Sequence, residues 1–120
     1  MTVSGPGFIS LQVRDLPRSA EFYERYLGFT RQAGPPQAVV FDTAPAAFAV
    51  RAPLPGTDLE EAPLGRGVGV WIHAADTMAI HDALVADGVT IASEPIDGPF
   101  GRTFTFVDPD GYAITLHDRA

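Results

Sequence analysis

The most informative part of this sequence is TFTFVDPDGYAITLHD, residues 103–118. Two runs rich in β-forming residues flank residues 108–111, where proline fixes one backbone angle and glycine tolerates a positive φ. The stretch therefore predicts two strands joined by a tight turn. Asp108 and Asp110 are interpreted as turn-forming residues rather than as catalytic carboxylates, because aspartate commonly bonds its own backbone in such turns.

A second stretch, VRDLPRSAEFYERYLGF, predicts a capped helix after an initial strand, FISLQVRD. Asp15 suits the N-cap, Pro17 suits the first turn, and Gly28 suits the position after the last turn. The apolar residues recur at helical spacing on one face: Leu16, Ala20, Tyr23 and Leu27.

The order strand, helix and three strands occurs twice. In the first half, short β-like pieces follow the helix: FTRQA, QAVVFDT and AAFAVRA. In the second half, a helix over DTMAIHDALVADG is predicted to start at Asp76 and to end at Gly88, with His81 facing solvent. The predicted strands of that half are GVGVWIHA, VTIAS, GRTFTFVD and GYAITLHD.

Between the two halves, APLPGTDLEEAPLGRG is rich in proline, glycine and acidic residues, which is typical of a surface loop. We expect a single domain over residues 1–120, with module one at about 6–52, a linker at about 53–66 and module two at about 67–120. Glu60 and Glu61 either attract a cationic ligand or belong to a solvated loop.

Composition excludes several classes of protein. The 120 residues are 46% apolar and 19% charged, which is typical of one globular domain. The chain has no cysteine, so disulfides, thiolate metal sites and cysteine nucleophiles are excluded. No apolar run reaches the roughly 20 residues needed to cross a bilayer, and no secretory signal pattern is visible, so we expect a cytoplasmic protein.

The net charge of −7 makes nucleic acid and anionic membranes poor partners. A cationic small molecule would be attracted, although an acidic surface also serves solubility alone. The sequence contains no nucleophile elbow, no phosphate-binding glycine loop and no nucleotide fingerprint.

Taken together, LQVRDLPRSAEFYERYLGF, GRTFTFVDPDGYAITLHD and the two β-α-β-β-β halves resemble the vicinal oxygen chelate superfamily. Its members include glyoxalase I, extradiol dioxygenases, fosfomycin resistance proteins and bleomycin resistance proteins. The resemblance implies an α+β fold of two βαβββ modules with curved mixed sheets that enclose a cavity. It also implies a homodimer, because single-chain relatives of this size complete their cavities with modules from two subunits.

Metal-using members of the superfamily place histidine, glutamine or glutamate on the first and last strands of each module. The corresponding positions here hold Phe8, Ala49, Gly69 and Thr115, which offer neither imidazole nor carboxylate. The resemblance therefore implies a chain without metal or other cofactor. It is closest to the bleomycin resistance type, which binds an antibiotic without changing it.

In that type, an aromatic residue before a Gly-Arg pair stacks on the flat rings of the drug, and Phe100 occupies this place. A second stacking aromatic would fall near Pro36 or Gln37, and an early proline would fall at Ile9, so these features are missing. The resemblance thus points to an antibiotic or related natural product other than bleomycin itself.

Strand alternation extends the set of inward-facing residues from the family's ligand positions. Trp71 is interpreted as a stacking wall or as sheet core, and Phe8 as a filler of the space left by a missing metal. Arg51 either binds a carboxylate or ends a strand. The complete predicted ligand-binding set is Phe8, Ser10, Ala49, Arg51, Gly69, Trp71, His73, Phe100, Thr103, Thr105, Thr115 and His117.

Two functions are expected. The first is a metal-free protein that sequesters an aromatic or cationic antibiotic, with no catalytic residue. The alternative is a superfamily enzyme, an isomerase, lyase or cyclase, in which His73 and His117 approach one another as an acid–base pair or a weak metal site. A non-catalytic accessory subunit is a third possibility.

Overall fold

Each half of the chain folds into the βαβββ unit that its pattern predicts. The structure, a computed structural model, describes residues 2–119. Contacts divide the chain into two units between Glu61 and Ala62. The α+β class and the two modules are thus confirmed, whereas the enclosure of a cavity stays a prediction.

The first unit contains one helix and a four-stranded sheet. Its strands lie in the order β1-β4-β3-β2; β1 and β4 are parallel and the other pairs are antiparallel. The elements are β1 (Phe8–Gln12), α1 (Leu16–Leu27), β2 (Arg31–Gln32), β3 (Ala38–Phe41) and β4 (Ala47–Arg51).

Helix α1 begins and ends where its caps predict. The Asp15 carboxylate accepts the backbone N–H of Arg18 at 3.1 Å, and Gly28 has a φ of 69°. Tyr23 is fully buried, and its ring centroid lies 5.1 Å from that of Phe48. Both rings belong to an aromatic core between the helix and the sheet.

The loop after β4 is attached to the first unit. Arg14 forms an ion pair with Glu60 and donates to the Leu59 carbonyl at 3.0 Å, and Gln12 accepts the Leu54 N–H at 2.7 Å. Glu60 is therefore paired rather than free to attract a cationic ligand.

The second unit repeats this topology. Its strands lie in the order β5-β8-β7-β6, with β5 and β8 parallel and the other pairs antiparallel. The elements are β5 (Val70–His73), α2 (Thr77–Ala86), β6 (Ile91–Gly98), β7 (Gly101–Val107) and β8 (Ala113–His117).

The turn between β7 and β8 forms as its sequence predicts. One Asp108 oxygen accepts the backbone N–H groups of Asp110 and Tyr112, both at 2.9 Å, and Gly111 has a φ of 101°. Asp108 is buried, so these bonds replace the water that its carboxylate has lost. These bonds match the turn-forming interpretation of Asp108.

The prediction that His81 faces solvent is wrong. Its side chain is only 13% exposed, and its ring lies edge-on against Phe104 with centroids 5.1 Å apart. Helix α2 lies on β7, and Ile80 and Leu84 are buried in the same helix, so the helix turns His81 toward the sheet. Its Nδ1 lies 3.0 Å from an Asp82 oxygen.

Helix α2 begins after Asp76, as predicted, but its N-cap is bonded differently from that of α1. Asp76 is the N-cap residue, but its side chain makes no capping hydrogen bond; the Thr77 hydroxyl instead donates to the Ala74 carbonyl at 2.7 Å. Within residues 2–119, neither helix is long and apolar enough to span a membrane.

Candidate functional site

The two faces of the second sheet have different characters. Phe104, Ile114 and Leu116 point toward α2 and are almost fully buried. Because side chains alternate along a strand, their neighbours point to the opposite face. That face carries aromatic, imidazole and hydroxyl groups.

Strand register arranges these groups in two rows across the sheet. In one row Trp71 lies opposite Thr115, which lies opposite Thr105; in the next, His73 lies opposite His117, which lies opposite Thr103. Gly69 precedes Trp71 by two residues, and a Cβ there would touch the indole at 3.4 Å. The structure thus brings all these predicted residues to one face.

Four rings on this face are linked by contacts, and we call them the ring cluster: Trp71, Phe100 and His117 contact one another, and His73 contacts His117. Ring centroids are 5.5 Å apart for Trp71 and Phe100, and 5.9 Å for Trp71 and His117. His73 and His117 are 5.6 Å apart, with their rings near perpendicular. These are ordinary distances for interacting aromatic rings.

The ring cluster is open to solvent in the chain. Trp71 is 52% exposed and Phe100 is 53% exposed. Trp71 is therefore not part of the buried core between α2 and its sheet, which favours the stacking interpretation. Two half-exposed rings that touch each other provide a surface on which a flat apolar compound could stack.

Phe100 reaches the ring cluster because it lies in the two-residue turn between β6 and β7. The turn is anchored to the segment after β8: the Arg119 N–H donates to the Phe100 carbonyl at 3.0 Å, and an Asp118 oxygen accepts the Arg102 N–H at 2.8 Å. Gly101 has a φ of 81° and lies directly under the Asp118 carboxylate.

An ion pair reinforces the base of this hairpin. Arg102 donates two hydrogen bonds to the Asp97 carboxylate, at 2.8 and 2.9 Å. These bonds favour the charged carboxylate and hold the pKa of Asp97 below its ordinary value.

The polar groups beside the rings are already hydrogen-bonded. The Thr105 and Thr115 hydroxyl oxygens are 2.7 Å apart, and either can be the donor. The His117 Nδ1–H donates to the Arg119 carbonyl at 2.8 Å. His117 is thus held in a fixed orientation between the rings and the end of the chain.

In the first unit, the predicted site residues lie on β1 and β4. Ser10 lies opposite Ala49, which is buried, and Gln12 lies opposite Arg51. Phe8 is 55% exposed, so within this chain it fills no void. The Nε–H of Arg51 donates to the Ala52 carbonyl at 2.9 Å, which matches the strand-end alternative.

The residues at the family's metal positions do not fit a metal ion. Phe8, Ala49 and Gly69 have no side-chain donor, and the Thr115 hydroxyl is bonded to Thr105. Within the described range, no group of three or more histidine, cysteine, aspartate or glutamate residues could hold a metal. Divalent ions in proteins are normally held by such side chains.

Sequence reasoning missed Gly101, Asp118 and Arg119, which position Phe100. Gly101 follows a proline and an aromatic residue, and this could have indicated a turn with a positive φ. Asp118 gives no local signal, because its partner lies 16 residues away in the sequence.

Comparison with known proteins identifies the family. A family model described as Glyoxalase/Bleomycin resistance protein/Dioxygenase superfamily matches residues 5–116. The chain belongs to this superfamily. No functionally curated protein matches it significantly.

Solved structures of the superfamily fold resemble the whole chain. TnmS3, an antibiotic binding protein from Streptomyces sp. CB03234, is 25% identical, with a TM-score of 0.76 over 100% of this chain and 99% of that chain. A glyoxalase/bleomycin resistance protein from the same organism is 25% identical, with a TM-score of 0.73 over 95% and 100%. A possible glyoxalase from Bacillus cereus, 21% identical with a TM-score of 0.72 over 96% and 99%, shares the fold.

Proposed function

We propose that this chain is a metal-free protein that binds and sequesters a flat aromatic small molecule, of the kind found among antibiotics and related natural products. The observation that carries the proposal is the ring cluster, with Trp71 and Phe100 in contact and each about half exposed. Stacking on such rings typically contributes about 0.5–1.5 kcal/mol per pair beyond the burial of area.

Two further observations support binding without chemistry. The metal positions of the superfamily hold Phe8, Ala49, Gly69 and Thr115, so the usual Lewis-acid centre has no ligands here. TnmS3, which is described as an antibiotic binding protein, is 25% identical over the whole chain. Sequestration of a ligand in a one-to-one complex requires only high affinity and no catalysis. We propose that the protein does this as a homodimer in the cytoplasm.

The charge of the protein favours ligands that carry a cationic group. The net charge of −7 attracts cations at long range, and ring faces attract them at short range. Added salt should weaken the binding of such a ligand only modestly, because stacking is not screened by salt.

Tryptophan fluorescence tests the proposal directly, because Trp71 is the only tryptophan. In a screen of aromatic antibiotics, a ligand should quench or shift the Trp71 emission saturably. By calorimetry, Trp71→Ala should bind about tenfold more weakly, which corresponds to about 1.4 kcal/mol. Removing metal with a chelator should leave the affinity unchanged.

Val85→Ala is the matched control, because Val85 is 50% exposed but lies on α2, on the other side of the sheet. This variant should bind as the parent does. Tight binding with unchanged emission, and with Trp71→Ala as strong as the parent, would contradict the assignment of the site.

The enzyme alternative is favoured by one observation, the 5.6 Å separation of the His73 and His117 rings. Two adjacent imidazoles can give and take a proton, as an isomerase, lyase or cyclase requires. Among the residues described, however, no carboxylate pairs with either ring. Recovery of a chemically altered ligand, with more than one turnover per site and loss of turnover in His73→Ala, would establish this alternative.

A further inference from the structure

The hydrogen bond between His117 and Arg119 determines which nitrogen of the imidazole carries the proton. A carbonyl oxygen can only accept a hydrogen bond, so Nδ1 of His117 must be the donor in the 2.8 Å contact with the Arg119 carbonyl. In a neutral imidazole the other nitrogen is then unprotonated. Nε2 of His117 is therefore a hydrogen-bond acceptor.

This acceptor has no partner among residues 2–119 and is not buried. His117 makes no further hydrogen bond within that range. Within the same range, the buried side-chain atoms without a hydrogen-bond partner are Ser19 Oγ and His81 Nε2. Nε2 of His117 has no partner and is not one of these atoms, so it is not fully buried. Nε2 of His117 is thus accessible from the open face of the sheet.

The aromatic neighbours of His117 determine which kind of hydrogen-bond donor can reach the Nε2 lone pair. Trp71 and Phe100 flank the imidazole, with ring centroids 5.9 and 6.4 Å away. The nearby Thr105–Thr115 pair does not discriminate, because a hydroxyl both donates and accepts. An acceptor-only group beside two aromatic surfaces favours a flat ligand with a hydrogen-bond donor on its ring.

We propose that His117 is a specificity-determining residue whose Nε2 accepts a hydrogen bond from an O–H or N–H group on an aromatic ligand. The inference rests on the proposed function and names its ligand class: phenols and similar donor-bearing aromatic compounds. The aromatic rings of the ring cluster stack on the flat face of the ligand, and His117 accepts a hydrogen bond from an O–H or N–H group at its edge. The Arg119 carbonyl acts as a positioning group, because its hydrogen bond determines that the proton of the neutral imidazole lies on Nδ1.

Two model compounds test the selection, 2-naphthol and 2-methoxynaphthalene, which share a flat ring system and differ in the donor. Binding is followed by NMR at neutral pH through the indole N–H of Trp71. The parent should bind 2-naphthol about three- to tenfold more tightly, the range expected for one hydrogen bond. His117→Phe keeps a ring in place and should bind both compounds equally.

His73→Phe is the matched control, since His73 belongs to the same cluster but makes no hydrogen bond within residues 2–119. This variant should keep the preference for 2-naphthol. In addition, imidazole nitrogen shifts of the ligand-free protein should show His117 protonated at Nδ1 when neutral, which needs no ligand.

The outcomes separate the two proposals. Equal binding of both compounds by the parent, a preference that survives in His117→Phe, or a neutral His117 protonated at Nε2 would overturn this inference alone. If neither compound binds and none of a wider aromatic panel perturbs Trp71, the proposed function fails, and the inference fails with it.

Discussion

At Gly101 the backbone and a neighbouring side chain leave no room for a Cβ atom. The residue has a φ of 81°, and an added Cβ would lie 1.8 Å from Asp118 Oδ1 and 3.1 Å from the Cβ of Arg119. Any larger residue would strain the backbone and displace the carboxylate from the Arg102 N–H. Gly101 thus controls the position of Phe100, the residue before it.

Gly101→Ala is therefore expected to destabilise the protein by about 1–3 kcal/mol, the range for a residue forced into unfavourable backbone angles. Urea unfolding measures the change. The control is Gly98→Ala in the same hairpin, where an added Cβ would meet no atom within 4 Å. Equal midpoints for the two variants would show that Asp118 yields without cost.

Single residues differ in how far the sequence predicts them. The shared face of Trp71, Thr115 and His117 was predictable, because side chains two residues apart along a strand point to the same side of the sheet. Asp118 was not found, since its bond to Arg102 depends on how β7 and β8 end side by side. The side of α2 that His81 occupies was predicted wrongly because the helix shows little contrast between apolar and polar faces.

At the scale of elements, caps and turns were the most predictable features. Asp15, Gly28 and the turn at residues 108–111 act through bonds to residues at most five positions away. Strand β6 was predicted to end at Ser93 but extends to Gly98, past Pro95. A proline normally argues against a strand interior, and the register shift between Ser93 and Ile96, which spans Pro95, is not visible in a sequence.

An ion pair between α1 and β2 gives a pH-dependent contribution at this scale. Arg31 donates two bonds of 2.9 Å to the Glu24 carboxylate, and these bonds lower the pKa of Glu24. A lowered folded-state pKa stabilises the fold above the unfolded value of about 4.5, and the contribution is lost as pH falls through the folded-state pKa.

Glu24→Gln should therefore melt at a slightly lower temperature than the parent at pH 7, with a loss below about 1 kcal/mol because the pair is partly exposed. The two proteins should converge as the pH falls through the lowered folded-state pKa and the carboxylate of the parent becomes protonated. Thermal unfolding followed by circular dichroism between pH 2 and 7 gives both numbers. A difference that stays constant over this range would assign the effect to packing instead of charge.

For the molecule as a whole, the repeated βαβββ order could be predicted from the sequence, because the same succession of caps and strands occurs twice. The function is harder to predict from the sequence, because this fold supports many activities. The metal ligands that would indicate a reaction are also missing from the positions that the superfamily uses. The exposure of apolar side chains adds information that the sequence lacks. Four large apolar residues of the second unit are more than half exposed: Val68, Trp71, Ile96 and Phe100.

Trp71 and Phe100 are in contact, and soluble monomers seldom expose large contiguous apolar patches, so we predict that the chain forms a homodimer. Sedimentation at micromolar concentration should give twice the mass of one chain. Ile96→Glu places a charge at one of the exposed positions and should weaken the dimer, whereas Val85→Glu on α2 should not. A monomer at all concentrations would contradict the prediction.

The irregular β6 has a consequence for behaviour at high protein concentration. It lies at an edge of its sheet, and an edge strand with free N–H and C=O groups can recruit strands from other molecules. Pro95 removes one donor, the two register shifts break the regular spacing, and the exposed Glu94 carboxylate would meet a like charge on an identical strand. The apolar face to which we assign ligand binding therefore lies beside an edge strand that resists β-sheet aggregation.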